Sequence, residues 1–120
     1  MELEKAHGPQ PLKVASTASD GIIMVTVCGA IDHASVGPLV QALTPRRLPD
    51  RPRMIVDMRQ VSFMDSSGIN TLLATHLDLT RTEGWLRLAD VPAAIRRTLE
   101  TVGVDTVIPC YPSVREALSA

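Results

Sequence analysis

The chain has 120 residues, a formal net charge of −1 and an apolar fraction of 45%, which suits one domain that can bury a full core without disulfide or metal staples. The near-neutral balance, the lack of a basic block and an aromatic complement of only Phe63, Trp85 and Tyr111 exclude a phosphate-tracking duplex binder and a stacking platform for single-stranded nucleic acid. No run reaches the ~18 apolar residues of a membrane span, and the opening residues Met1 to Gly8 lack the apolar stretch of a secretory signal. The expectation is a cytoplasmic protein with no membrane insertion. Cys28 and Cys110 are distant in sequence and lack metal-ligand spacing, so they read as free, small, buried thiols in a reducing compartment, with no metal expected.

Residues 1–11 hold Gly8, Pro9 and Pro11 without periodicity and read as a flexible lead-in, leaving 12–120 as the domain. His7 falls in that lead-in. A weak strand is predicted near residues 12–15. Asp20-Gly21 then supplies the positive φ of a hairpin turn. Residues 22–28 form a nearly continuous, β-branched apolar run, the pattern of a strand covered on both faces. Gly29 to Asp32 is expected to break it. A helix is predicted from Ala34 or Ser35 to Leu43, burying Val36, Leu39, Val40 and Leu43. Residues 44–53 carry Pro45, Pro49 and Pro52 and must be a loop. Its arginines, Arg46, Arg47, Arg51 and Arg53, read as a solvated rim.

The second strong strand is predicted over residues 54–58. After the turn Asp65-Ser66-Ser67-Gly68 a helix should run to about Thr82, with Ile69, Leu72, Leu73, Leu77 and Thr80 inward and Gly84 closing it at the C-terminal end. His76 lies at the edge of that apolar face and reads as a partly buried core histidine. Residues 85–89 form a third strand. Pro92 opens a helix that buries Ile95, Leu99 and Val102 and ends at Gly103. A short strand is predicted over 106–108, and Ser113 caps a last helix through Leu118. The order β-β-α-β-α-β-α-β-α predicts an α/β fold with a mixed, mainly parallel sheet of four to five strands and about four helices.

In such sheets functional groups gather beyond the carboxyl ends of the strands. Two acidic turns fall there: Ile31-Asp32-His33 and Met64-Asp65-Ser66-Ser67-Gly68. Ser66 stands where a helix begins, so unpaired N–H groups and the positive end of the macrodipole would tolerate a phosphate on it. That phosphate adds roughly −1.5 to −2 charges beside Asp65 and Asp32, and a partner docking there would be rejected. Ser67 and Gly68 would let another protein approach the backbone closely. On the spacing alone the plainer alternative stays open: Asp65 or Ser66 as an N-cap and Asp32 as a turn residue.

Taken with its flanks, the segment Ile55 to Ile69 resembles the signature of the STAS family, which contains bacterial anti-sigma factor antagonists and the cytoplasmic domains of sulphate transporters. Val27-Cys28-Gly29-Ala30-Ile31-Asp32 looks like the family's Gly-Glu-Leu/Ile-Asp turn, Gly84 to Ala89 like its late strand, Val91 to Gly103 like its Gly-terminated helix and Tyr111 to Leu118 like its closing helix. The resemblance implies a STAS domain over 12–120 that is not an enzyme and needs no cofactor. It implies an antagonist that binds an anti-sigma factor, often itself a serine kinase, and so releases a sigma factor. The kinase would phosphorylate Ser66 and abolish binding, and a phosphatase would restore it. Asp32, Asp65, Ser66, Ser67 and Gly68 would form the partner surface, with ATP and Mg²⁺ belonging to the kinase and the free protein a monomer. Ala30 stands where the family often has Glu, which bears on partner identity. Two other readings differ in class. One is a STAS docking subunit of a transporter or other signalling complex. The other is a serine hydrolase with His33 as base to Ser66, which lacks the Gly-x-Ser-x-Gly elbow such an enzyme needs.

Overall fold

The computed structural model describes residues 11–44 and 48–120. Residues 1–10 of the expected lead-in, with His7, and Pro45, Arg46 and Arg47 of the proline-rich loop lie outside the described residues. The chain opens with β1 (Lys13–Ser19) and β2 (Ile22–Ile31), paired antiparallel. Asp20 and Gly21 join them with φ of 53° and 78°, the all-positive pair a tight hairpin demands. β1 is longer than the predicted stretch 12–15 because its register with β2 runs unbroken from Lys13 opposite Cys28 to Ser19 opposite Ile22.

β2 does not stop at Gly29. Gly29 adopts φ 118°, and the pairing with β3 (Arg53–Met64) shifts register between Thr26 and Cys28 and again between Gly29 and Ala30. The glycine serves a bulge, and the strand continues to Ile31. β3 likewise runs past Met58, where the sequence reading ended it. Gln60, Val61, Phe63 and Met64 pair with Cys28, Gly29, Ala30 and Ile31. Val61 and Met64 are buried while Arg59, Gln60, Ser62 and Phe63 are exposed, so the polar residues that suggested a connection are the outward positions of a strand.

Helix α1 (Gly37–Leu43) starts later than Ala34 or Ser35, because residues 32–35 are committed to a hydrogen-bonded turn described below. It buries Leu39 and Leu43, whereas Val40, expected inward, is 38% exposed. Helix α2 (Ser66–Arg81) buries Gly68, Ile69, Leu72, Thr75 and Leu79. Leu77 and Thr80 point to solvent, so Thr75 and Leu79 replace them on the inner stripe. The Thr75 hydroxyl donates to the Thr71 carbonyl at 2.9 Å, which removes the cost of burying it. His76 is half-buried, as expected, with its Nδ1 unpartnered among the described residues.

Gly84 does not take the left-handed position after α2; Glu83 does, with φ 63°. Glycine is required at 84 because a Cβ there would overlap the Pro52 carbonyl oxygen and lie 2.8 Å from its carbon. β4 (Trp85–Ala89) follows, then α3 (Ala93–Thr101), which buries Ile95 and Leu99. Val102, expected inward, is 57% exposed, and Gly103 closes the helix at φ 80°. The strand predicted over 106–108 is a 3-10 turn at Val104–Thr106: the Val107 and Ile108 N–H groups both donate to the Val104 carbonyl, and β-branched composition misled the reading. The last strand is β5 (Cys110–Tyr111), and Ser113 caps α4 (Val114–Ser119) by accepting from the Glu116 N–H at 3.1 Å.

The strands lie in the order β1-β2-β3-β4-β5. β1 is antiparallel to β2, and every later neighbour is parallel. Successive crossovers of one hand stepping in one direction place their helices on one face. There Val25, Val27, Met54, Val56, Met58, Leu86 and Leu88 pack against apolar residues of α1, α2 and α3. The opposite face carries Ile55 and Ala89 under Ala117 of α4. This is the mixed, mainly parallel α/β sheet expected from the chain.

Candidate functional site

β2 and β3 end side by side, with Ile31 paired to Met64. The turns that follow them, at Asp32 and Asp65, are therefore neighbours. Asp65 is extended at φ −100°, ψ −168° and caps α2: its Oδ1 accepts from the Ser67 N–H at 2.8 Å, satisfying a donor the helix leaves unpaired. Its own N–H donates to the Ile31 carbonyl at 3.1 Å, and its Oδ2 accepts from the His33 N–H at 3.2 Å. The Asp32 Oδ1 accepts from the Ala34 and Ser35 N–H groups, both at 2.9 Å. Ser35 Oγ accepts from the Asp32 N–H at 2.9 Å and donates to the Ala30 carbonyl at 2.7 Å. The cap and turn roles left open by the spacing are thus filled by Asp65 and Asp32, and the same bonds bring the two turns together.

Ser66 is the first residue of α2 and is exposed; Ser67 is half-buried. Gly68 is buried, and a Cβ on it would stand 2.5 Å from Met64 Cγ and 2.8 Å from Ile31 Cγ2. The small residue at 68 is therefore demanded by the seating of α2 on the ends of β2 and β3. Phe63, one residue before Met64 and opposite Ala30, is 50% exposed. An exposed apolar ring at this end of the sheet suits a docking surface. No sequence signal marks it, because residues 59–64 do not alternate: Val61 and Met64 are buried with Ser62 and Phe63 exposed between them, alongside a pairing with β2 that shifts register.

A cleft of about 770 Å³ opens beside the Asp32 turn, lined in part by Leu12, Cys28, Ala30, Asp32, Ser35 and Gln60. The small side chain of Ala30 contributes to its width. Both cysteines are free thiols. Burial pushes the Cys110 thiol up, and Asp105 and Glu100 add to that against the opposing pull of Arg96, so Cys110 lacks the thiolate character of a reactive cysteine. His33 is exposed, and among the described residues its ring makes no hydrogen bond to Ser66. Among the described residues no three His, Cys, Asp or Glu side chains group as metal ligands, and no helix is long and apolar enough to cross a membrane.

Among known proteins, the chain is 30% identical over 93 residues to an anti-sigma-B factor antagonist of Staphylococcus aureus, covering 78% of this chain and 86% of that protein. It superposes on the crystal structure of an anti-sigma factor antagonist from Mycobacterium paratuberculosis with a TM-score of 0.82 and 29% identity, over 93% of this chain and 95% of the other. The fold alone recurs within a murine Solute Carrier 26 anion transporter, at 18% identity and a TM-score of 0.71, where it covers 98% of this chain and 23% of the transporter. The sequence model of the STAS domain matches residues 13–117. With its five-stranded mixed sheet, its relatives and that match in agreement, the chain belongs to the STAS domain family.

Proposed function

We propose that this chain is an anti-sigma factor antagonist switched by phosphorylation of Ser66. It acts as a cytoplasmic, monomeric binding protein without catalysis or cofactor, its domain spanning 12–120. The observation that carries the reading is the exposed Ser66 hydroxyl on the first residue of α2, beside the Asp65 and Asp32 turns. A helix N-terminus offers partial positive charge and unpaired N–H groups, so a phosphate there costs the fold little. To a partner seated across Ser66 and Phe63, the same phosphate is a dianion of roughly −1.5 to −2 charges placed next to two carboxylates. The switch therefore changes binding without unfolding the binder.

The partner is an anti-sigma factor that doubles as a serine kinase. ATP and Mg²⁺ belong to it, and a phosphatase resets the antagonist. Docking of the unmodified chain over the Asp32 turn, Ser66 and Ser67, on the platform that Asp65 and Gly68 hold in place, frees the sigma factor. The test is displacement. Purified chain is added to a preformed complex of a sigma factor and an anti-sigma factor from the same genome, and released sigma is followed by size exclusion. Release that saturates near one chain per anti-sigma protomer supports the role. Retention of sigma in every such complex, together with stable binding to a transporter subunit, would replace it with the docking-subunit reading.

A further inference from the structure

We propose that Asp65 is a positioning residue: its carboxylate pins the Asp32 turn to the start of α2 and thereby fixes the spacing between the two halves of the docking surface, without meeting the partner itself. The identity of what docks there rests on the antagonist reading above. An ionised carboxylate only accepts hydrogen bonds and has two oxygens to give. Asp65 spends one on each turn: Oδ1 on the Ser67 N–H at 2.8 Å and Oδ2 on the His33 N–H at 3.2 Å, across 32 residues of sequence.

The loop it holds is stiff in its own right. Asp32 Oδ1 takes two N–H groups, and Ser35 Oγ closes the loop onto the Ala30 carbonyl. A loop closed this way moves as a unit, so the bond from His33 sets where the whole turn sits relative to Ser66. Asparagine cannot replace this. Its single oxygen can keep the shorter bond to Ser67, but its NH₂ then faces the His33 N–H, donor against donor. Alanine loses both bonds.

The two roles of the carboxylate, helix cap and clasp, therefore separate experimentally. Asp65→Asn and Asp65→Ala are made in the Ser66→Ala chain, so that phosphorylation does not intervene. Amide exchange at His33 and Ser67 is read by NMR. The dissociation constant is measured for the anti-sigma protein that the Ser66→Ala chain retains. In Asp65→Asn, exchange at His33 should quicken about tenfold while Ser67 keeps its protection, and affinity should fall about tenfold, the factor a single net hydrogen bond is worth. Asp65→Ala should quicken both amides. Loss of affinity in Asp65→Asn with the His33 amide unchanged would mean that the carboxylate touches the partner, and would overturn the proposal. A freed His33 amide with affinity unchanged would overturn it equally. Should the Ser66→Ala chain retain no anti-sigma protein, the antagonist reading fails, while a His33 amide still protected in Asp65→Asn would by itself overturn the clasp.

Discussion

Ser66→Asp is expected to bind the anti-sigma partner roughly a hundredfold more weakly than Ser66→Ala, a difference of about 2.7 kcal/mol. The substitution places a permanent carboxylate at an exposed position next to Asp65, whose own carboxylate is fixed by the Ser67 and His33 N–H groups and cannot turn away without breaking both bonds. Like charges brought together under a partner and away from water cost several kcal/mol. The fold should not suffer: a carboxylate in the first helical turn interacts favourably with the macrodipole, by about 0.3–1 kcal/mol. Calorimetric titration of both variants against the same partner reads the ratio, and matched melting curves show that folding is not the cause. Equal affinities would remove the charge mechanism.

Gly84→Ala is expected to be the most damaging of the single-methyl changes in the chain, lowering stability by about 3 kcal/mol or somewhat more. The added Cβ would overlap the Pro52 carbonyl oxygen and stand 2.8 Å from the Pro52 carbon and Cδ. Pro52 is buried, and these are backbone and ring atoms with no flexible end to swing aside. The same carbonyl accepts from the Trp85 N–H at 2.9 Å, and Arg53 and Trp85 form the first pair of the β3–β4 ladder. Relief of the clash must therefore open the start of that ladder. For a domain of this size the loss corresponds to a drop in melting temperature on the order of 10 °C. A melt within about 2 °C of the parent chain would show that residue 84 is glycine for some other reason.

That residue also shows where sequence reasoning reaches its limit. A glycine just after an apolar helix reads as a left-handed terminator, and Gly103 is one, at φ 80°. Gly84 is a glycine for a contact with Pro52, across a distance in sequence that no local pattern reports. Local patterns carried well where neighbours in sequence are neighbours in space: the Asp20-Gly21 hairpin turn, the Ser113 cap and the strand Trp85–Ala89 were all legible. They failed where a long-range partner decides. The polar stretch after Met58 is strand because the end of β2 is there to pair with it. The β-branched residues Thr106, Val107 and Ile108 are not strand because the Gly103 carbonyl takes the Thr106 N–H and the Val104 carbonyl takes those of Val107 and Ile108.

The site follows the same division. Ser66 at a helix start could be read from Asp-Ser-Ser-Gly followed by an apolar stripe, and both acidic turns could be placed beyond the carboxyl ends of strands; that they are neighbours is set by the pairing of β2 with β3. What the carboxylates bond to could not be read. Asp65 and Asp32 read as contacts for a partner; in the structure both Asp65 oxygens and the Asp32 Oδ1 accept from the chain's own N–H groups. Gly68, read as an opening for a partner, is closed over by Met64 and Ile31. The place of Phe63 at the site depends on β3 reaching it, opposite Ala30.

The measurement that bears most directly on the central claim is phosphate mapping. The chain is incubated with ATP, Mg²⁺ and purified anti-sigma kinases from the same genome, digested and sequenced by mass spectrometry, with Ser67→Ala run in parallel. The account predicts one phosphate on Ser66 in both chains, and release of the modified chain from the kinase. Phosphate on Ser67 with Ser66 unmodified, or a chain phosphorylated on Ser66 that still holds its kinase at the original affinity, would contradict it.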